Sequence, residues 1–137
     1  MAAFEAWFDV GERMGQAPAS RNWEPEIRKY STDPAAAGVV QDMQDYVQYG
    51  IKQVGLSTVE PEVTAVELTA EPGPSVSVRA CFDSTNSELV YAQTGLPITP
   101  TDAPAELERF WWQVTVVREA GQPWLVSVLD PQIDRAC

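Results

Sequence analysis

The residues of this chain that can do chemistry begin with two cysteines, Cys81 and Cys137. Cys81 lies in an alternating segment, 76–83, that is typical of a strand, and Cys137 is the last residue. A cysteine pair this far apart, with one member at a chain end, predicts a structural disulfide and therefore an oxidising location outside the cytoplasm. The alternative is a pair of reactive thiols, each two residues from an arginine, Arg79 or Arg135.

Histidine is absent from the sequence. Its absence excludes Ser–His–Asp and Cys–His catalysis and removes the ligand that most zinc sites use. Residues 83–88 resemble a calcium-binding loop only in part, because the loop's glycine and most of its acidic positions are missing. We therefore predict no catalytic set, no metal site and no cofactor.

Carboxylates are the remaining candidates for acid–base chemistry, provided that an apolar pocket shifts their pKa. Candidate acids and hydrogen-bond donors are Asp9, Asp42, Asp45, Asp83, Asp130, Tyr30, Tyr46 and Tyr49. Asp42 and Asp45 fall on the polar side of a predicted helix, so we expect them to be solvated. Asp83 follows a predicted strand and is expected to begin a turn. The sequence therefore favours a protein that is not an enzyme.

The tryptophans are candidates for binding a partner or a ligand rather than for catalysis. Trp111 and Trp112 are adjacent in a predicted strand, so alternation places them on opposite faces of the sheet. The outward ring either is covered by the protein or is an exposed anchor for a partner or an apolar ligand. The candidate binding residues are Trp111, Trp112, Trp7 and Tyr46.

The charge balance narrows the classes of partner. The chain carries 20 acidic and 9 basic residues, a net charge of -11. Nucleic-acid binding needs a basic surface, which this composition does not provide, and anionic membranes are disfavoured for the same reason. No apolar run has the length of a membrane span, so we predict no direct membrane insertion. The length of 137 residues predicts one domain, 1–137.

Helical patterns occupy the first 50 residues. The first helix, of about four turns, is indicated by apolar residues at helical spacing: Phe4, Trp7, Phe8 and Met14. Residues 23–30 predict a second, short helix. Asp33 can cap a third helix and Pro34 suits its first position. Gly50 is a natural C-terminal stop.

Beyond residue 50 the apolar pattern alternates. It predicts strands at 51–57, 61–69, 75–83, 88–91, 106–118 and 123–129, with a loop at 93–104. One face of the third strand, which we expect to meet the helices, carries Val76, Val78, Ala80 and Phe82. Cys81 then points away from the helices. Helices followed by strands predict an α+β fold, with N-terminal helices packed on a curved antiparallel sheet of four to six strands.

Several motifs occur together with this order of elements. Residues 80–83 read Ala-Cys-Phe-Asp, residues 90–97 end in Thr-Gly-Leu-Pro, tryptophans mark the strands at 110–116 and 121–126, and Cys137 closes the chain. In these features the chain resembles an NTF2-like (cystatin-like or SnoaL-like) domain. It resembles most closely the exported proteins and lipoproteins of actinobacteria and their phages.

The resemblance implies a single NTF2-like domain over residues 1–137, with the helices closing a cone-shaped sheet. It also implies an extracellular or cell-envelope location, with a signal or anchor segment upstream of Met1. Much of this group has no assigned activity. What the resemblance implies about function is therefore less specific than what it implies about fold and location.

Three functions follow as expectations. The first is a non-enzymatic exported or surface-anchored accessory domain that binds a protein partner or a small apolar ligand. The second is a small isomerase- or cyclase-like enzyme that uses a carboxylate inside the cone. The third is a subunit of an envelope transport or conjugation complex. Whether the domain forms a homodimer stays open.

Overall fold

The computed structural model of the chain describes residues 1–71, 73–98 and 107–137. Within these residues, three helices precede six strands: α1 (Ala2–Gln16), α2 (Glu24–Tyr30), α3 (Ala35–Tyr49), β1 (Ile51–Gly55), β2 (Thr58–Glu67), β3 (Ser75–Asp83), β4 (Ser87–Tyr91), β5 (Arg109–Val117) and β6 (Leu125–Ala136). The predicted α+β fold is confirmed. Half of the predicted loop at 93–104, residues 99–104, and the start of the fifth predicted strand at 106 lie outside the described residues.

The first helix buries the face that its sequence indicates. Its buried side chains include Phe4, Trp7, Val10 and Met14, whereas Phe8 is half-buried. On the solvent side, Arg13 Nε donates to Asp9 Oδ2 at 2.8 Å across one helical turn. Such an exposed ion pair adds only a few tenths of a kcal/mol, so the helix is held mainly by its apolar face.

The third helix begins one residue later than predicted and ends where predicted. The Asp33 carboxylate accepts a hydrogen bond from the backbone N–H of Ala37 at 3.1 Å, which stabilises the first turn. At the other end, Gly50 adopts φ 65° and its N–H bonds to the carbonyl groups of Tyr46 and Val47. Glycine is favoured there because a Cβ disfavours this left-handed conformation.

The strands form two antiparallel sheets. The larger one has the order β2-β3-β5-β6, and β1 pairs separately with β4. The larger sheet thus has four strands, within the predicted range. Its two edge strands depart from the predicted bounds, because β2 begins and ends earlier, at Thr58 and Glu67, and β6 runs on to Ala136. Each contains a proline, Pro61 in β2 and Pro131 in β6. Proline lacks an N–H and is tolerated at a sheet edge.

The helices pack on one face of the four-stranded sheet. The predicted inward side chains of β3 are there, with Val78 and Ala80 fully buried. They form one apolar cluster with Phe4 and Trp7 of α1, completed from the other strands by Val114, Val116 and Val126. A second cluster lies between the three helices and contains Val10, Met14, Trp23, Ile27, Ala36, Val40 and Met43. The two clusters fix α1 between the sheet and the other helices.

Gly55→Ala is expected to lower the free energy of unfolding by about 2 kcal/mol. Gly55 has φ 75°, and a Cβ built on it would clash with the backbone carbonyl of Asn86 at the β1–β4 pairing. Gly121 is the matched control, since it also has φ 75° but a Cβ there meets nothing within 4 Å. Urea unfolding of both variants measures the difference. Equal losses would show that backbone conformation, and not the close approach to Asn86, determines the effect.

Candidate functional site

A cleft of about 180 Å³ lies between α1, α3 and the inner face of the four-stranded sheet. We call it the α1–α3 cleft; its lining residues are Trp7, Phe8, Gly11, Glu12, Met14, Gly15, Val39, Asp42, Tyr46, Gln53, Ser57, Phe82, Trp112 and Leu129. Helical spacing explains the α1 set, because residues three and four apart lie on one face. The fold brings together in this cleft three of the four binding residues that were predicted from the sequence: Trp7, Trp112 and Tyr46.

One wall of the cleft is aromatic. Phe82 stacks on Trp112 with ring centroids 4.4 Å apart and an interplanar angle of 11°. Phe8 and Trp7 each approach Trp112 edge-on, with centroids 6.0 Å away. Offset-stacked and edge-to-face arrangements are the favourable ones for aromatic pairs. The wall is thus held in one geometry by its own packing.

Two donors in this wall have no acceptor. The indole N–H groups of Trp7 and Trp112 are buried, and neither has a hydrogen-bond partner within the described residues. Trp7 is only 5 % exposed. A buried donor without a partner costs roughly 1–3 kcal/mol. Both tryptophan side chains belong to the lining of the cleft.

The cleft also contains an anchored carboxylate, Glu12. Its Oε2 accepts hydrogen bonds from the Gln53 side-chain amide and from the backbone N–H of Ser57, the latter at 3.4 Å. Ser57 in turn shares a hydroxyl–hydroxyl bond of 2.8 Å with Ser87. These partners are neutral, so they orient the carboxylate without cancelling its charge.

Two acidic groups of α3 complete the lining. Burial raises the pKa of Asp42 above its ordinary value, and the nearby charge of Asp45 adds to the effect. Burial also raises the pKa of Tyr46, with smaller contributions from Asp42 and Glu12. Asp42 is exposed on one side, as predicted, yet it lines the cleft, which the sequence did not predict. Every titratable side chain in the lining is an acid.

Asp42→Asn is expected to raise the free energy of unfolding at pH 7 by less than about 1 kcal/mol. Because folding raises the pKa of this acid, ionised Asp42 is penalised in the folded state above that pKa. The penalty declines as the pH falls through the raised pKa and disappears below the ordinary value of 3.8. The stability gain of the variant over wild type should therefore be present at pH 7 and lost at about pH 3, as urea unfolding can measure.

The control for this substitution is the exposed carboxylate Asp130 on β6. Asp130→Asn should change stability by less than about 0.5 kcal/mol at either pH. An Asp42→Asn variant less stable than wild type at pH 7 would show that the carboxylate makes a net favourable contact instead.

Trp111, the fourth candidate, lies outside the cleft. It faces the opposite side of the sheet, where the Arg79 guanidinium lies 4.3 Å from its ring centroid. Arg79 also pairs with Glu62 at 3.4 Å. Of the two interpretations left open by the sequence, the structure favours a ring covered by the protein, because a charged side chain lies over its face.

The remaining acid–base candidates do not converge on the cleft. Asp9 pairs with Arg13 on the solvent side of α1, and Asp45 accepts a hydrogen bond from Gln41. Asp83 begins a turn, as predicted. Hydrogen bonds from the Thr85 hydroxyl and backbone N–H lower the pKa of Asp83. Asp130 and Tyr49 are exposed, and Tyr30 packs beside both apolar clusters.

The two cysteines meet on the outer side of the sheet. The Sγ atoms of Cys81 and Cys137 lie 2.02 Å apart, which is disulfide-bond distance, and their Cα atoms are 5.8 Å apart. Cys81 pairs in register with Trp111, the outward tryptophan. The link therefore lies on the face opposite the cleft, and it ties the segment after β6 to β3.

The sequence did not identify four contributors to the cleft: Phe8, Glu12, Gln53 and Phe82. A signal was present for the first two, because Glu12 follows Phe8 by four residues and so shares its helical face. Alternation in β3 places Phe82 on the face expected to meet the helices, but it does not show that this part of the face lines a cleft. Gln53 reaches the cleft only through the packing of strands against α1, which no pattern within the sequence indicates.

Residues 1–71, 73–98 and 107–137 contain neither a cluster of three metal-ligating side chains nor a helix that could span a membrane. No group of three or more Cys, Asp or Glu side chains there is arranged to hold a metal ion. No helix in that part of the chain has both the length and the apolar character needed to cross a bilayer.

No protein-family model matches the chain, and no curated protein matches it. Among solved structures, the chain is similar to the intermembrane space region of the chloroplast protein ARC6. The TM-score is 0.55 at 10 % sequence identity, and the match covers 99 % of this chain and 93 % of that one. At this identity the similarity concerns the fold alone.

Proposed function

We propose that this domain is a non-enzymatic accessory domain that binds a small, largely apolar ligand in the α1–α3 cleft. The observation that carries the proposal is the pair of buried, unpartnered indole N–H groups of Trp7 and Trp112 in an aromatic-lined cavity. Ligand sites are concave and mostly apolar, with a few polar groups that orient the ligand.

The proposal includes two further statements: the fold is NTF2-like, and the domain works in an oxidising location, either extracellular or in the cell envelope. The disulfide-distance pair Cys81 and Cys137 supports the location, because such links persist mainly outside reducing compartments. A protein partner, at the cell surface or in an envelope complex, would deliver or receive the ligand.

The test uses the five tryptophan indole N–H resonances of the ¹⁵N-labelled, oxidised protein as separate reporters. The probes are two small phenols, 4-propylphenol and tyramine. Binding in the cleft should shift the resonances of Trp7 and Trp112 and leave those of Trp23, Trp111 and Trp124 nearly unchanged. If neither phenol shifts the Trp7 and Trp112 resonances at millimolar concentration, the proposal fails.

A matched pair of variants separates the two tryptophans of β5. Trp112→Phe keeps an aromatic ring and removes one orphaned donor, so the affinity for the phenols should fall about fivefold. Trp111→Phe makes the same change on the other face and should leave the affinity within twofold. Similar losses in both variants would place the ligand elsewhere.

One observation favours a second candidate, an isomerase-like enzyme. Asp42 lines an apolar cleft, and burial shifts its pKa upward, which is the direction that strengthens a carboxylate as a base. The probe reaction is conversion of 3-cyclohexenone to 2-cyclohexenone. Asp42 would remove a proton from the carbon between the carbonyl and the alkene and return it to the far alkene carbon. Turnover that Asp42→Asn abolishes would establish the enzyme, and no turnover above buffer would exclude this reaction.

A further inference from the structure

We infer that the ligand of the α1–α3 cleft is an organic cation with an apolar body and an oxygen acceptor. The inference rests on the proposed function, since it names the chemical class that this cleft would take. It assigns one part of the ligand to each part of the lining. The positive group meets the carboxylates, the body lies on the aromatic wall and the oxygen accepts from the indoles.

The sign of the ligand's charge is inferred from the side chains that line the cleft. Glu12, Asp42 and Tyr46 are its titratable side chains, and no Lys or Arg lines the cleft within the described residues. Neither Glu12 nor Asp42 takes part in a salt bridge in that part of the chain. An anion would meet uncompensated negative charge, whereas a cation would supply the missing counter-charge.

The aromatic wall also favours a positive charge on the ligand. The faces of Trp, Tyr and Phe rings attract cations, and aromatic cages are a common way to bind organic ammonium groups. Four such rings meet here, those of Trp7, Phe8, Phe82 and Trp112. They also supply the apolar surface that the body of the ligand needs.

The oxygen acceptor follows from the orphaned donors. The indole N–H groups of Trp7 and Trp112 are separate from the carboxylates in chemistry, because they donate and cannot bind a cation. A ligand with only a positive group would leave both unsatisfied. A hydroxyl, ether or carbonyl oxygen on the same molecule would satisfy at least one.

The whole chain reinforces the local charge. A net charge of -11 raises the concentration of small cations near the surface and lowers that of anions. This long-range term is weakened by salt, whereas contacts inside a partly buried cleft are weakened much less. Selectivity that persists at 0.5 M NaCl therefore belongs to the cleft.

The experiment is isothermal titration calorimetry of the oxidised full chain with three probes of nearly the same shape. Tyramine carries an ammonium group, 4-propylphenol replaces it with a methyl group and 3-(4-hydroxyphenyl)propanoate replaces it with a carboxylate. Tyramine should bind at least about tenfold more tightly than 4-propylphenol, and the carboxylate most weakly. Phenethylamine, which lacks the phenol oxygen, should bind about fivefold more weakly than tyramine.

Variants locate the charge effect. Asp42→Asn should weaken tyramine binding about five- to tenfold and leave 4-propylphenol binding nearly unchanged. Asp45→Asn makes the same charge change on α3 outside the cleft lining, and it should weaken tyramine binding less than about threefold. Because Asp42→Asn is expected to stabilise the fold, a loss of binding in that variant would not reflect unfolding.

The outcomes separate this inference from the proposed function. If 4-propylphenol or the carboxylate binds as tightly as tyramine while the indole resonances still shift, the cation inference is overturned and ligand binding stands. If phenethylamine matches tyramine, the oxygen acceptor is wrong. If no probe binds, both the ligand class and the proposed function fail.

Discussion

Replacing both cysteines, Cys81→Ala with Cys137→Ala, is expected to lower the free energy of unfolding by about 4 kcal/mol. The pair is separated by 56 positions, so the link closes a long loop in the unfolded chain and reduces its entropy. That loss is a large part of a typical folding stability of about 5–15 kcal/mol. Urea unfolding of the oxidised wild type and the double variant measures it.

Reduction of the wild type provides the control, because it opens the link without changing any side chain in the core. Wild type in a strong thiol-free reductant should approach the stability of the double variant, and the double variant itself should not respond. A loss below about 1 kcal/mol would show that the unfolded chain is already compact around this loop.

The adjacent tryptophans of β5 should differ strongly in their response to truncation. Trp112→Ala is expected to cost about 3 kcal/mol, because it removes the ring that Phe82, Phe8 and Trp7 pack against. Trp111→Ala should cost about 1 kcal/mol, since its ring lies on the outer face of the sheet with the Arg79 guanidinium over it. Urea unfolding of the two variants measures both losses in the free energy of unfolding under one set of conditions.

The comparison is internally controlled, because the two substitutions remove the same atoms at neighbouring positions of one strand. A similar loss for both would mean that the outer face of the sheet is as well packed as the inner one. A larger loss for Trp111→Ala would contradict the assignment of Trp112 to the cleft wall.

Most of the fold could be predicted from the sequence because local signals determine it. Helical periodicity, a capping aspartate and Gly50 place α1 and α3, and alternation places β3 at its observed bounds. The edge strands were predicted less well, because β2 was started late, at Pro61, and β6 was ended before Pro131; proline is a typical break within a strand. An edge tolerates them, but a sequence does not state which strands lie at the edges.

The cleft could be predicted only in part, for a different reason. Alternation requires Trp111 and Trp112 to face opposite sides, yet it does not say which of them meets the helices. The meeting of Glu12, Asp42 and Trp112 depends on three elements that are distant in sequence. The solvated position of Asp42 on α3 was correct as a local statement, and only the packing of α1 beside it creates a partly buried acid.

Because of the Cys81–Cys137 link, the two edge strands of the four-stranded sheet differ in how easily they can detach from it. Cys81 lies in β3 and Cys137 follows β6, so the link passes over β5 and joins strands that are not neighbours. Strand β6 cannot detach at its C-terminal end while the link is closed, whereas β2 is held to β3 only by non-covalent contacts, the backbone pairing and the Arg79–Glu62 ion pair among them. Local opening of the sheet should therefore begin at β2, and amide hydrogen exchange should be faster there than along β6.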